Sequence, residues 1–285
     1  MSATSRVRKR WPKKPTRRRG LVKLGGDKDL PNTDGADTNA VVTNKLIATA
    51  TKQLTSRPSF WGRYFKGPGD QNPVRYQAHL ESALLRSNGI RVLPIAQQTK
   101  HVAGDRNEGR RDGLKNGAAI IASFGNTYLS SMAEGILVFL DVEGDPSLSS
   151  LYYRGWSEGL INAGRSAMVE TAVGNEQPVR FLPCIYGSFG DDDTWRAIQV
   201  AIAQGAICAG AWIARPGRIG CHPLESWDEA RVRPNSLPRT VQILAWQNVQ
   251  ECANVDYNRA NPSGPDLFLS RLILPPDVSK GWLTS

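Results

Sequence analysis

From Asp34 onward the chain repeats one unit, a short β-branched or aromatic run followed by a longer stretch with helical spacing. The runs stand at 33–39 (TDGADTN), 59–65 (SFWGRYF), 91–97 (RVLPIAQ), 136–143 (ILVFLDVE), 180–188 (RFLPCIYGS), 210–214 (GAWIA), 241–247 (VQILAWQ) and 254–258 (NVDYN). Helical spacing fills 43–56, 75–88, 106–124, 149–163, 192–204 and, more briefly, 224–231. Strict alternation of strand and helix implies an α/β fold, with a parallel sheet and helices outside it. Eight such units in about 245 residues suit a (β/α)₈ TIM barrel, which typically needs about 250. The last connection, NVQECA at 248–253, is too short for a helix, so the eighth unit is expected to be degenerate. A doubly wound sheet would carry a Gly-rich turn after its first strand, and GADTNAVV at 35–42 has none.

Charge divides the chain. The formal net charge is +10, from 36 Lys and Arg against 26 Asp and Glu. Ten of the basic residues, from Arg6 to Lys23, precede the first acid, Asp27, which leaves 26 against 26 beyond it. The body is neutral and the first 30 residues carry the excess. With two prolines and little apolar content, 1–30 is expected to be a disordered basic tail. The barrel is then expected over 31–275, with 276–285 as a C-terminal tail. Residues 6–23 suit contact with a polyanion, nucleic acid or anionic lipid, or serve only as a solubilising leader. No apolar stretch follows these charges as in a secretory signal, and no run approaches the roughly 18 apolar residues of a membrane span. The expectation is a soluble protein without a classical signal peptide.

Barrel enzymes build their sites where the strands end, so the polar residues closing each run are the ones to collect. They are Asp37, Arg63, Gln97, Asp141 with Glu143, Tyr186, Trp212, Gln247 and Asp256. Asp141 and Glu143 share a strand face with Leu137 and Phe139, so both carboxyls are expected in one cavity above the apolar filling. Two neighbouring carboxyls suit glycoside hydrolysis, where one protonates the leaving oxygen and the other stabilises positive charge. Tyr64, Tyr186 and Trp212 would offer flat faces to sugar rings, and Arg63, Gln97 and Gln247 would bind hydroxyls. The competing explanation for the pair is a helix cap or a structural ion pair with Arg63.

The ordered set GADTNAVVTNKL, FWGRYF, RVLPIAQ, ILVFLDVE, IYGS, AWIA, LAWQ and NVDYN resembles the glycoside-hydrolase-like domains known as domain of unknown function 1906, over roughly 33–262. Those domains are similar to the family-25 lysozymes, barrel muramidases that act on peptidoglycan. The resemblance implies Glu143 as catalytic acid, Asp141 as the carboxylate stabilising an acetamido-assisted intermediate, and Asp37 and Asp256 as further site acids. The chain departs from the muramidase pattern where AWIA runs into RPGRIG. A catalytically silent barrel that binds glycan or protein, tethered by its basic tail, is therefore the alternative.

Other patterns are weaker. IYGSFG lacks the glycine that a nucleophile elbow needs two residues before Ser188. Asp191 in GDDDTW reads as a helix cap more than a cation ligand, and GRRDG at 109–113 as solvated helix surface. Cys184, Cys208, Cys221 and Cys252 form no C-x-x-C pair and the three histidines are scattered, so neither a metal site nor a cofactor is expected. Their disulfide state is left open.

Overall fold

The structure, a computed structural model, describes residues 33–98, 100–167, 169–170 and 176–277. The basic tail lies outside them. In chain order the elements are β1 (Asp34–Asp37), α1 (Asn44–Leu54), β2 (Phe60–Phe65), α2 (Ala78–Ser87), β3 (Arg91–Gln97), α3 (Arg106–Phe124), α4 (Asn126–Ser130), β4 (Ile136–Val142), α5 (Ser150–Ser166), the short ribbon β5 (Val169–Glu170) and β6 (Glu176–Gln177), β7 (Phe181–Ser188), α6 (Asp192–Ala203), β8 (Ala211–Ile219), α7 (Glu229–Val232), β9 (Ile243–Cys252), β10 (Val255–Ala260) and α8 (Pro265–Ser270). Eight strands close into a barrel in the order β1-β10-β9-β8-β7-β4-β3-β2.

Four of the longer helices begin where the sequence supplies a cap. Thr43, Asp105, Ser149 and Asp191 each accept a hydrogen bond from a backbone N–H of the first turn, of Leu46, Glu108, Tyr152 and Thr194 respectively. Asp191 is thus the N-cap of α6. The strands are apolar on both faces, as a sheet covered by helices requires. Alternate residues divide between two cores. Leu93, Ile95, Leu137, Phe139, Cys184, Tyr186 and Trp212 fill the barrel. Val92, Ala96, Ile136, Val138, Leu140, Ile185 and Ile213 face the helices. Below, α8 closes the barrel, with Phe268 set edge-on to Phe60 at 5.3 Å between ring centroids.

Three expectations are corrected. Seven barrel strands run parallel, but β10 is antiparallel to both neighbours. The short final connection leaves no room for a crossover helix, so the chain turns back through Ala253 and Asn254, whose φ values of 56° and 62° suit a two-residue hairpin turn. The helix expected at 224–231 is reduced to the four residues of α7. GRRDG is only half solvated. Gly109, Asp112 and Gly113 are buried against α5, where Asp112 accepts from the Tyr152 hydroxyl at 2.9 Å. A Cβ at Gly113 would sit 2.2 Å from the Trp156 carbonyl oxygen, which is why the two helix backbones can pack so closely.

The RPGRIG segment extends β8 past a register shift, so that Arg218 and Ile219 pair with Val249 and Gln250 of β9. A disulfide between Cys221 and Cys252 staples the end of this extension, while Cys184 and Cys208 carry free thiols. Among the described residues no helix is long and apolar enough to cross a membrane.

Candidate functional site

Asp37, Glu143 and Asp256 meet in a cleft of about 470 Å³ at the barrel mouth, lined also by Thr38, Asn39, Tyr64, Gln250, Glu251 and Asn254. Three different parts of the fold supply the acids. Asp37 closes β1, and Glu143 follows β4 directly. Asp256 stands near the start of β10, and it reaches the mouth because that strand runs downward into the barrel. It is the cross-strand partner of Asp37. Two like charges directly opposite each other are unfavourable in a sheet. Burial first, and the Asp256 charge second, hold the Asp37 carboxyl well above the usual carboxylate range. Burial likewise raises Asp256, against a backbone hydrogen bond from Glu251 that lowers it.

Asp141 lies one layer deeper. It is 1% exposed, whereas Glu143 is exposed, so the two acids share a strand face without sharing a depth. The expectation of two carboxyls buried together is corrected accordingly: Val142 ends the strand, and the backbone beyond it lifts Glu143 to the rim.

Two hydrogen-bonded chains fix the acids. In the first, the Asn258 amide donates to Asp37 Oδ1 at 2.6 Å, and Trp212 Nε1 donates to Asn258 Oδ1 at 3.0 Å. In the second, the Tyr186 hydroxyl lies 2.6 Å from Glu143 Oε1 and also meets Gln247 Oε1, while Gln247 Nε2 donates to Asp256 Oδ2 at 3.0 Å. The Glu251 N–H donates to Asp256 Oδ1 at 2.6 Å, from a residue held at φ 57°. A left-handed backbone at a non-glycine costs of order 1–3 kcal/mol, and here it aims a donor at a site acid.

The aromatic residues are placed differently from the sequence reading. Tyr64 lines the cleft. Tyr186 and Trp212 are 4% and 1% exposed and pack together at 4.5 Å between centroids, forming the floor under the acids and offering no open face to a sugar ring. Gln247 holds Tyr186 and Asp256, and Gln97 accepts from the Arg75 guanidinium.

Arg63 is the clearest correction. Gly62 points into the barrel, where a Cβ would meet Asp37 and Ile95, so Arg63 next to it points outward. There it is fully buried, paired with Glu81 at 2.7 Å, and it donates to the Thr38 and Arg75 carbonyls at 2.7 and 3.0 Å. Every side-chain nitrogen is engaged. It braces the loops around the mouth and has no donor left for a ligand.

Sequence reasoning missed Asn258, although it stands two residues after Asp256 on the same strand face. It also missed Glu251 and Asn254, whose roles depend on the hairpin turn.

No family model matches the chain, and no curated protein matches it. Among solved structures it is similar to the 1.07 Å crystal structure of an uncharacterized B. stearothermophilus protein. The two share 21% identity over 85% of this chain and 100% of that one, with a TM-score of 0.55. That likeness is one of fold.

Proposed function

We propose that the protein is a glycoside hydrolase acting on peptidoglycan or a related amino-sugar polymer, with Glu143 as general acid and Asp141 as stabilising carboxylate. The observation that carries this reading is the hydrogen bond that the Tyr186 hydroxyl donates to Glu143 Oε1 at 2.6 Å, which orients that carboxyl at the rim of an open cleft shared with Asp37 and Asp256. A carboxyl held in that position is what general-acid protonation of a glycosidic oxygen requires.

In this reading Glu143 gives its proton to the leaving oxygen as the bond to the anomeric carbon breaks. Asp141, buried one layer below, stabilises the positive charge that develops, in surroundings where little water screens it. Asp37, Asp256 and Tyr64 border the sugar. A lysozyme-like activity is also what the ordered sequence motifs imply.

The test is reducing-sugar release from purified peptidoglycan and from chitin oligomers, comparing the intact chain with Glu143→Gln at matched thermal stability. Loss of the acid is expected to lower the rate by about 10²–10⁴-fold. Equal release by both proteins would remove Glu143 from the role. Absence of product from the intact chain would favour a barrel that binds without cleaving.

A further inference from the structure

One wall of the acidic cleft rises past the closed part of the barrel. The last pair between β7 and β8 is Ser188 with Ala214, and β8 continues from there to Ile219 along β9. β9 runs beside it to Cys252, turns through Ala253 and Asn254, and returns as β10. Gln250, Glu251, Asn254 and Asp256 of this hairpin line the cleft. We propose that the Cys221–Cys252 disulfide is a redox switch for that wall: closed, it holds the hairpin turn against the cleft, and its reduction by a dithiol releases the turn and the Glu251 N–H from Asp256. That a released wall stops cleavage rests on the proposed hydrolase activity; the opening of the wall does not.

The turn is held against its own backbone preference. Glu251, Ala253 and Asn254 have φ values of 57°, 56° and 62°, a left-handed conformation that asparagine tolerates and that glutamate and alanine disfavour. All three are exposed, whereas Cys252 among them is 2% exposed. The buried side chain of the turn is therefore the one in the bridge. The remaining ties are the ladder pair of Cys252 with Val255 and three polar contacts. The Gly220 N–H donates to the Gln250 carbonyl at 2.8 Å, the Thr38 hydroxyl to the Asn254 carbonyl at 2.8 Å, and the Glu251 N–H to Asp256 at 2.6 Å. An exposed turn with a disfavoured backbone and little buried apolar surface is the kind of segment that opens locally. A covalent link between its end and the neighbouring strand restrains that opening.

Exposure decides where a reductant attacks. Cys221 is exposed, so a dithiol can bring its thiolate to Cys221 Sγ. A bond forms there as the bond to Cys252 breaks, and the electron pair leaves on Cys252 Sγ. The second thiol of the reductant then displaces Cys221 as a thiolate. Two electrons have passed from the dithiol to the bridge, its two protons end on Cys221 and Cys252, and it departs as a disulfide. Cys184 and Cys208 are free thiols, so this bridge is the one that a dithiol can open. At the site the consequence is the loss of a donor. Burial raises the Asp256 carboxyl, and the Glu251 N–H opposes that rise. Without the donor Asp256, which faces Asp37, Glu143 and Glu251, holds its proton to higher pH.

The experiment is amide hydrogen exchange of the full chain when oxidised, when reduced with dithiothreitol and when reoxidised. Cys221→Ser, at an exposed position, serves as the permanently open form. Reduction is expected to speed exchange at 249–255 by about thirtyfold or more, the factor that the lower end of a disulfide's usual contribution implies. It should leave β3 and β4 protected, and reoxidation should restore the hairpin. Cys221→Ser should exchange like the reduced chain and not respond to dithiothreitol. Hairpin exchange that reduction does not change, or a bridge that dithiothreitol opens only when the chain unfolds, would overturn the proposal. So would faster exchange throughout the barrel, because the bridge would then hold the fold and not the wall. Sugar release measured alongside should be lost on reduction and return on reoxidation; release that persists in the reduced chain would also overturn the switch. No release in either state would sink the hydrolase reading, and hairpin exchange would still decide this one.

Discussion

Replacing Arg63 by methionine separates scaffold from site. Arg63 and Glu81 are each fully buried and joined by two hydrogen bonds, at 2.7 and 3.1 Å. Methionine fills much of the same volume but leaves the Glu81 carboxylate buried with only the Val42 and Gln77 N–H groups, at 3.1 and 2.8 Å, and strips a donor from the Thr38 carbonyl. Removing one partner of a buried pair costs about 3–5 kcal/mol, because the charge left behind has lost its compensation. For a domain of this size each kcal/mol lowers the midpoint by about 2–4 °C, so Arg63→Met should melt about 6–20 °C below the intact chain. Urea and thermal unfolding read this directly. Sugar release, measured well below the melting range, should be unchanged, since Arg63 faces α2 and not the cleft. A loss under about 1 kcal/mol, with sugar release impaired, would refute the reasoning and restore Arg63 as a substrate ligand.

Two further expectations follow from the geometry. Asp37 binds its proton more tightly when folded than unfolded, so the cost of ionising it is absent below about pH 4 and grows as pH rises. Asp37→Asn keeps an oxygen for Asn258 and cannot ionise, so its melting temperature should match the intact chain at about pH 4 and exceed it increasingly as pH rises. A difference that does not change with pH would remove burial as the cause. Gly113→Ala would press a methyl to 2.2 Å from the Trp156 carbonyl oxygen and 2.8 Å from the Leu160 nitrogen, both backbone atoms. The strain should outweigh alanine's helix preference of about 1 kcal/mol and destabilise by about 1–3 kcal/mol in urea melts; a neutral variant would mean that α3 and α5 have room to part.

Most of the strands were legible because they are apolar on both faces, and RVLPIAQ coincides with β3 residue for residue. The direction of β10 was not, since an antiparallel return is written in the short connection and not in the strand. Asp256 therefore reached the mouth as expected, but by running down from it. Depth was the harder quantity. FWGRYF carries glycine at the inward position between Phe60 and Tyr64, which leaves the phase of β2 weakly marked, so Arg63 read as a mouth residue although Phe60, Gly62 and Tyr64 are the ones that point inward. Tyr186 and Trp212 close runs in the sequence, yet β8 continues for seven residues past Trp212 to Ile219, leaving its indole in the floor.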